Sequence, residues 1–303
     1  MKNVNARVFL LLVLTAALSI PGWFDSVSIS AAQAGQQLDL RLPDRQDSVR
    51  FAVAGDAGIG GRQQREIGQQ MAIWHSVFPF EFVLMPGDNL YGSEEPEDYR
   101  KKFEEPFSQL LAAQVKFYAA LGNHDEPKQR FYEHFNMGGQ RYYSFHKGNA
   151  RFFALDSNCM SAEQVQWLEK ELGESDELWK IVFLHHPLYS SGRHGSNLEL
   201  RKVLEPLFVT NGVDVVIAGH EHFYQRIKPQ KGITYFVSGA AGKLRKGDVK
   251  ESDFTAAFFD TDRSFMLFEI VGETLHYQCI SRLGETVDSG SLLAREVTPA
   301  GTD

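Results

Sequence analysis

Cysteine is scarce in this chain, with two residues among 303. Cys159 and Cys279 cannot build a disulfide framework or a cysteine-rich zinc site, because both need more thiols. They could form one disulfide in an oxidising compartment. The sequence leaves that pairing open, since it does not give the distance between the two residues.

Positive charge is also in short supply. Lysine and arginine together number 31 against 39 aspartate and glutamate residues, which gives a net charge of −8. Proteins that bind nucleic acid or anionic membrane surfaces use clusters of basic side chains. We therefore expect no nucleic-acid partner. The hydrophobic fraction of 43% is that of a globular protein and excludes a disordered or collagen-like chain.

The sequence has no apolar run that would cross a bilayer comfortably. Residues 8–20 are apolar but too few, and they follow the positive residues Lys2 and Arg7. An Ala-x-Ala motif at residues 32–34 completes the pattern of a cleavable secretory signal. We predict that residues 1–34 are removed and that the protein is secreted or periplasmic, with no stable membrane anchor. An uncleaved anchor is the alternative, because the apolar run and the cleavage motif are far apart.

Short apolar segments alternate with helical patterns from about residue 48. Nearly continuous apolar runs predict strands that are buried on both faces, at residues 50–55, 81–86, 115–121, 150–156, 180–185 and 213–219. Apolar periodicity predicts helices at residues 62–77, 98–112, 162–172 and 198–209. Antiparallel strands are predicted at residues 233–238, 254–260, 264–271 and 275–281. This order indicates a layered α/β sandwich.

One domain is expected, because no repeat, low-complexity segment or flexible linker divides the chain. We predict a catalytic domain at residues 48–295. An N-terminal extension at residues 35–47 would precede it, and a C-terminal tail at residues 296–303 would follow it.

Polar clusters follow five of the predicted strands. They are Gly55-Asp56-Ala57-Gly58, Gly87-Asp88-Asn89-Leu90-Tyr91, Gly122-Asn123-His124-Asp125, Val182-Phe183-Leu184-His185 and Gly219-His220-Glu221-His222. In an open α/β sheet, ligands bind beyond the carboxyl ends of the strands. Any one cluster could be a helix cap, a turn or a pair of solvated histidines. Together they supply carboxylate, phenol, amide and imidazole donors without a thiolate, a set that suits iron, zinc or manganese.

The ordered set of five motifs resembles the purple acid phosphatases, within the calcineurin-like metallophosphoesterases. The motifs span most of the chain between Asp56 and His222, and the chain length is similar to the short, single-domain form of that family. The segment 142–156 and the His185-x-Pro187 step are also similar. The resemblance implies two mixed β-sheets in a layered sandwich flanked by helices.

The resemblance implies a first metal site for iron, held by Asp56, Asp88, Tyr91 and His222. Other metallophosphoesterases usually carry Asp-x-His in the first motif, whereas this chain has Gly58 in place of that histidine. The phenolate of Tyr91 is a hard, charged donor and is similar to the family's ferric ligand. Iron is therefore expected here in preference to a pair of zinc ions.

A second site for iron, zinc or manganese is implied at Asp88, Asn123, His185 and His220. Asp88 would then bridge the two ions. Four protein ligands at each ion would leave positions for water and phosphate, as a catalytic metal needs.

A binuclear centre of this kind suits the hydrolysis of a phosphate ester. The resemblance implies attack of a metal-bound hydroxide on phosphorus, and an acidic optimum is expected because the metals lower the pKa of the bound water. His124 and His194 are similar to the substrate-side histidines of the family and would protonate the leaving group. Asp125 is expected to orient the His124 imidazole. The alternatives are a supporting role for His124 and a solvated loop position for His194.

The sequence thus predicts an exported phosphatase of the purple or tartrate-resistant type, acting on small phosphate monoesters and releasing inorganic phosphate. A phosphodiesterase with the same metal core is one alternative, and a non-catalytic metal- or phosphate-binding protein is the other. The oligomeric state cannot be predicted, although a monomer is favoured. His186 is expected beside the metals but not bound to them, and Glu221 is expected to point away. The basic turn 243–246 is expected to be solvated, and attraction of an anionic substrate at the rim of the site is the alternative.

Overall fold

Residues 38–295 are described by a computed structural model, and they form two β-sheets with helices outside them. The strands are β1 Val49–Val53, β2 Phe82–Pro86, β3 Lys116–Ala120, β4 Tyr143–Lys147, β5 Ala150–Ala154, β6 Trp179–Leu184, β7 Val215–Ala218, β8 Tyr224–Gln230, β9 Ile233–Ser238, β10 Thr255–Phe259, β11 Ser264–Val271, β12 Thr274–Ser281 and β13 Thr286–Leu293. The α-helices are α1 Arg62–Val77, α2 Pro96–Tyr99, α3 Ser108–Ala112, α4 Ala162–Gly173 and α5 Leu198–Thr210.

Both sheets are mixed, as the family resemblance implies. The first has the order β13-β12-β11-β1-β2-β3, in which β1, β2 and β3 are parallel and the other three strands pair antiparallel. The second has the order β10-β8-β9-β7-β6-β5-β4, with a parallel centre from β5 through β6 and β7 to β9. The predicted fold class, a layered α/β sandwich of two mixed sheets flanked by helices, is confirmed.

Aromatic rings fill the space between the sheets. Phe51 of β1 stacks on Phe82 and Phe268, its neighbours in the first sheet, with ring centroids 5.3 and 4.9 Å apart. Phe152 of the second sheet meets Phe51 edge-on at 5.2 Å. These rings are fully buried, and stacked and edge-on contacts add to the stabilisation from burial.

Helices cover the outer face of each sheet. Helix α1 buries Met71 and Trp74 in the core on the first sheet, whereas α4 and α5 bury Leu168, Leu204 and Phe208 in the core on the second. The strands of both sheet centres are therefore covered on both faces, which explains their nearly continuous apolar sequences.

The predicted helix at residues 98–112 is wrong as a single element. A short α2 runs into a π-helical turn at Arg100–Glu104, and α3 begins only at Ser108. Pro106 lies between them and has no backbone N–H to continue the helical hydrogen bonds. Its carbonyl oxygen would lie 1.9 Å from a Cβ at Gly68 of α1, so the break lets the chain pack closely on that helix.

Strands β4, β8 and β13 were not predicted from the apolar pattern. β4 and β13 are edge strands of their sheets, and much of each is exposed or half-buried. β8 contains exposed Lys228 and Pro229. Their sequences therefore lack the apolar runs by which the central strands were recognised.

The segment before β1 lies against the first sheet. Gln278 of β12 accepts a hydrogen bond from the Arg41 backbone N–H at 2.9 Å, and buried Glu269 of β11 accepts those of Asp44 and Arg45 at 2.7 and 2.6 Å. The predicted signal (residues 1–34) and tail (residues 296–303) lie outside the described residues. No helix within residues 38–295 has the length and apolar character needed to cross a bilayer.

The two cysteines are not paired in this structure. Cys159 is exposed in the segment before α4, whereas Cys279 is buried in β12. The pairing that the sequence left open is therefore absent here.

Replacement of Phe51 by alanine tests the aromatic layer between the sheets. We expect Phe51→Ala to lower the free energy of unfolding by about 3–5 kcal/mol, the usual cost of truncating a buried phenylalanine. Phe131→Ala is the matched control, because Phe131 is 67% exposed. Its effect should stay below about 1 kcal/mol in urea denaturation followed by circular dichroism. Equal losses in the two variants would contradict the core position of Phe51.

Candidate metal centre

The carboxyl ends of five parallel strands meet at one edge of the sandwich. Their loops carry the predicted ligands: Asp56 after β1, Asp88 and Tyr91 after β2, Asn123 after β3, His185 after β6, and His220 and His222 after β7. The structure brings all seven side chains into two adjoining groups.

The first group consists of Asp56, Tyr91 and His222. The Tyr91 hydroxyl lies 3.0 Å from Asp56 Oδ1 and 3.2 Å from His222 Nε2, and His222 Nε2 lies 3.4 Å from Asp56 Oδ1. Three donor atoms from three loops thus face a common point.

The second group consists of Asn123, His185 and His220. Asn123 Oδ1 lies 3.0 Å from both His185 Nε2 and His220 Nδ1, and these nitrogens are 3.1 Å apart. His185 is fully buried and Asn123 is exposed, so this group extends from the interior to the surface.

Asp88 adjoins both groups. Its Oδ1 lies 3.4 Å from His185 Nε2 in the second group. It also offers a carboxylate oxygen within 4.8 Å of ligand atoms of Asp56 and His222. A carboxylate in this position can be shared between two cations.

The donor atoms have the spacing and lone pairs that a cation needs. Donors bound to one metal at about 2.1 Å lie roughly 3 Å from one another, which is the spacing within each group. His185 Nδ1 lies 3.0 Å from the Pro86 carbonyl oxygen, so this nitrogen carries the proton and donates it. The lone pair of Nε2 therefore points at the oxygens of Asn123 and Asp88. The seven residues fit metal ions.

Three of the seven ligand positions have a left-handed backbone. The φ angles of Asp56, Asp88 and His220 are 53°, 51° and 71°. Such conformations cost about 1–3 kcal/mol each in non-glycine residues and occur where the surrounding structure enforces them. The strain turns these side chains towards the common edge directly after their strands.

Two glycines allow the loops to approach each other closely. A Cβ on Gly122 would lie 2.2 Å from Asp88 Oδ1, and one on Gly58 would lie 1.9 Å from the Asn89 carbonyl oxygen. No imidazole fits at position 58 with the loops so close. The structure thus explains why Tyr91, and not a residue at position 58, completes the first group.

Burial controls the protonation of the site. It lowers the pKa of His185, His220 and His222 to about 3 each, with nearby positive charge contributing. Burial and the charge of Asp88 raise the pKa of the Asp56 carboxyl. Burial and the nearby charges of Asp56 and Asp88 raise the pKa of the Tyr91 hydroxyl. The imidazoles are thus neutral, whereas the acidic groups lack a counter-charge that a cation would supply.

Asp125 holds two of the loops together. Its carboxylate accepts hydrogen bonds from the backbone N–H groups of Gly122, Leu90 and Asn89 at 2.7, 3.0 and 3.1 Å, and from Gln129 at 2.7 Å. Both oxygens are occupied by these bonds. The expectation that Asp125 orients the His124 imidazole is therefore wrong, and its role is to fix the loops after β2 and β3.

His124 lies beside the first group. Its backbone N–H donates to Asp88 Oδ1 at 3.0 Å, and its ring centroid lies 4.9 Å from that of Tyr91. The residue is exposed, so the imidazole can reach a ligand at the edge of the sheets.

His194 lies beside the second group, with its ring centroid 4.4 Å from that of His220. Glu221 holds its loop: the buried carboxylate accepts the backbone N–H groups of His194 and Gly195 at 2.8 and 3.1 Å. Glu221 thus contacts the His194 loop, a role that its position between two predicted ligands did not reveal. Arg245 donates to His194 Nδ1 at 3.1 Å.

His186 also approaches the second group. It offers a nitrogen within 4.8 Å of those of His185 and His220, and its Nδ1 lies 2.9 Å from Ser157 Oγ. Its other ring nitrogen, Nε2, makes His186 a further candidate metal ligand. The sequence predicted only that His186 lies next to the metal ligands.

The basic turn 243–246 lies at the site, contrary to the expectation that it is merely solvated. The Lys243 ammonium is 4.4 Å from the Tyr91 ring centroid, and Arg245 contacts both His194 and Glu221. The contacts that hold the turn at the site join segments far apart in the sequence, so no local pattern indicates its position.

Comparison with known proteins identifies the family. Residues 49–224, more than half of the chain, match the calcineurin-like phosphoesterase family. This chain belongs to the calcineurin-like phosphoesterases. The match spans the loops that carry all seven candidate ligands.

Proteins similar in sequence to this calcineurin-like phosphoesterase include purple acid phosphatases. Purple acid phosphatase 17 of Arabidopsis thaliana is 26% identical over 86% of this chain and 93% of its own length. Human tartrate-resistant acid phosphatase type 5 is 25% identical over 66% of this chain and 76% of its own length. The resemblance stated from the five motifs is confirmed.

Solved structures show the same fold. The GAP50 anchor of the Plasmodium inner membrane complex matches with a TM-score of 0.71 at 19% identity, covering 82% of this chain and 90% of that one. Purple acid phosphatase PPD1 from yellow lupin matches with a TM-score of 0.68 at 18% identity, covering 83% of this chain and 55% of that one. The two-sheet sandwich of the calcineurin-like phosphoesterases is therefore shared by both.

Replacement of Asp88 by asparagine should change stability in opposite directions with and without metal. In protein stripped by a chelator, Asp88→Asn removes the repulsion with buried Asp56, and the free energy of unfolding should rise by about 1–2 kcal/mol. In metal-loaded protein it should fall, because a neutral amide binds cations more weakly. Thermal unfolding in both states measures the two effects.

Asp47→Asn is the matched control, because Asp47 is exposed. We expect it to have little effect in either state. A loss of stability in Asp88→Asn that is equal in stripped and loaded protein would show a purely structural role for Asp88.

Proposed function

We propose that this chain is a phosphatase of the purple acid phosphatase type, hydrolysing phosphate monoesters at a binuclear metal centre. The observation that carries the proposal is the convergence of seven donor side chains from five loops, with the Asp88 carboxylate adjoining both groups. The similarity to proteins named purple and tartrate-resistant acid phosphatases supports the same activity.

The first site would hold iron through Asp56, Asp88, Tyr91 and His222. A phenol whose pKa is raised by burial would lose its proton to solvent only when a strongly charged cation binds its oxygen, which favours ferric iron there. When bound, the pair of cations supplies charge that stabilises the phosphoryl oxygens and a water molecule of lowered pKa.

The second site would hold iron, zinc or manganese through Asp88, Asn123, His185 and His220. Imidazole, amide and carboxylate donors are compatible with all three metals. The exposed amide of Asn123 places this site at the mouth of the centre, where a substrate phosphate can enter.

Two histidines, His124 and His194, would give a proton to the leaving oxygen. His124 lies against Tyr91 of the first group and His194 against His220 of the second, so each group has an exposed imidazole beside it. Glu221 positions His194 through the backbone of its loop. A leaving alkoxide on either side could be protonated as its bond to phosphorus breaks.

The centre is suited to mildly acidic solution. Protonated imidazole cannot bind a metal, but the pKa of about 3 for His185, His220 and His222 keeps these ligands neutral well below pH 6.5. Protonation of these three histidines would compete with metal only as the pH falls towards 3. This supports an acid phosphatase.

Export of the protein belongs to the same proposal. Residues 1–34 would direct secretion or periplasmic transport, and residues 48–295 would form the catalytic domain, working as a monomer on small phosphorylated substrates. The net charge of −8 is unlike that of a nucleic-acid-binding protein, so we propose no nucleic-acid partner.

Hydrolysis of 4-nitrophenyl phosphate and bis(4-nitrophenyl) phosphate by metal-loaded protein tests the function. We expect the monoester to be preferred, and Asp88→Ala and His222→Ala to lower kcat/KM by at least about a hundredfold with loss of bound metal. Asp47→Ala, in an exposed carboxylate, is the control. Preference for the diester would favour a phosphodiesterase, and metal binding without turnover would favour a binding protein. Parent-like activity in both ligand variants would refute the site.

The leaving-group dependence of His124→Ala tests its role as a proton donor. We expect kcat to fall by about a hundredfold with phenyl phosphate, and by less with 4-nitrophenyl phosphate, whose leaving group needs no proton. Bound metal should be unchanged. His134→Ala, at an exposed position away from the ligand loops, is the control. Equal losses on both substrates, or loss of metal, would indicate that His124 supports the site structurally.

A further inference from the structure

We propose that Lys243 forms a subsite for a second negative charge, so that the enzyme prefers phosphate monoesters whose leaving group carries an additional anion. This inference rests on the proposed phosphatase function and specifies its substrate class. It comes from the basic turn 243–246, which the proposed reaction does not use.

The position of Lys243 places its charge at the mouth of the centre. Its ammonium lies 4.4 Å from the centroid of the Tyr91 ring, whose hydroxyl belongs to the first ligand group. The ring of His124 packs against the same tyrosine at 4.9 Å. The ammonium and the proposed proton donor His124 thus share one neighbour, and a leaving group that His124 protonates would emerge near Lys243.

The charge of Lys243 is not neutralised by the protein. Within residues 38–295, no carboxylate oxygen lies within 4.0 Å of its ammonium. Arg245 differs, because its guanidinium lies 3.4 Å from buried Glu221 and also donates to His194. Arg245 therefore fixes the loop, whereas Lys243 has charge available for a ligand.

The backbone of the turn holds Lys243 in place. The Lys243 N–H donates to the Asp56 carbonyl at 3.0 Å, and the Arg245 N–H donates to the His222 carbonyl at 3.0 Å. A Cβ on Gly242 would lie 2.1 Å from the Ala57 carbonyl oxygen, so the turn fits tightly against the loop after β1. The backbone that carries the cation is thus tied to two of the loops that carry the candidate ligands, so only the side chain of Lys243 needs ordering when an anion binds.

The contact with Tyr91 alone does not account for this arrangement. A cation over an aromatic ring adds about 0.5–1 kcal/mol at exposed sites and needs no metal centre nearby. If packing on the ring were the whole role, loss of the charge would weaken hydrolysis of all phosphate esters equally. If Lys243 binds a second anion, the loss depends on the charge of the leaving group.

Two substrates that differ in charge separate these roles. Phenyl phosphate and 3-carboxyphenyl phosphate have phenol leaving groups of similar acidity, but only the second carries an extra anion. We expect the metal-loaded parent to favour the carboxylated substrate in kcat/KM, and Lys243→Gln to reduce that preference by about fivefold. Activity on phenyl phosphate should fall less than activity on the carboxylated substrate, and bound metal is measured in the same samples.

Two matched variants complete the test. Lys243→Arg keeps the charge and should retain most of the preference, whereas Lys246→Gln removes an exposed charge from the same turn and should leave the preference intact. An equal effect of Lys243→Gln on both substrates, or an equal effect of Lys246→Gln on the preference, would overturn the subsite. Failure of the parent to hydrolyse either ester would instead refute the phosphatase function itself, and the subsite with it.

Discussion

Two buried carboxylates, those of Asp56 and Asp88, impose the constraint on which the site depends. They lie close together away from water, and the charge of Asp88, together with burial, raises the energy of the charged form of Asp56. Around them, neutral imidazoles such as His185 direct lone pairs into the same space. Within residues 38–295 no lysine or arginine pairs with these two carboxylates, and positive ions would supply the missing counter-charge. The chemistry of the site and its stability therefore both depend on the same cluster of carboxylate oxygens and imidazole nitrogens.

The sandwich makes such an arrangement possible. Aromatic stacking around Phe51 holds the two sheets together, so loops from both sheets meet at one edge. Left-handed backbone at Asp56, Asp88 and His220 then turns these candidate ligands inward, and the absence of a side chain at Gly122 lets the loops lie close together. The strain at the ligands is sustained by the core below them.

Much of the site could be predicted because its residues follow strands in the order of the chain. Strand ends are visible as apolar runs, and a donor such as Asp56 or His220 directly after a run can be assigned to the sheet edge without coordinates. The same logic gave the central strands of both sheets. It gave no signal for the edge strands β4 and β13, whose exposed faces break the apolar pattern, or for the break that Pro106 introduces before α3.

Contacts between distant segments could not be predicted in this way. Glu221 accepts a hydrogen bond from the His194 loop, and Asp125 accepts one from the loop after β2. Lys243 makes a cation–π contact with Tyr91. None of these pairs has a local sequence signal. These contacts position the proposed proton donor and the charge at the rim. The candidate ligands follow strand ends that the local sequence reveals, whereas their surroundings depend on the packing of the whole sandwich.

Anomalous X-ray diffraction from crystals of the metal-loaded protein tests the central claim most directly. Data collected at the iron, zinc and manganese edges would locate each ion independently of the protein atoms. We expect two peaks, roughly 3.5–4 Å apart, with the Asp88 carboxylate between them and iron in the peak beside Tyr91. A single peak, or two peaks of which one lies away from Asp88, would contradict a shared carboxylate at a binuclear centre.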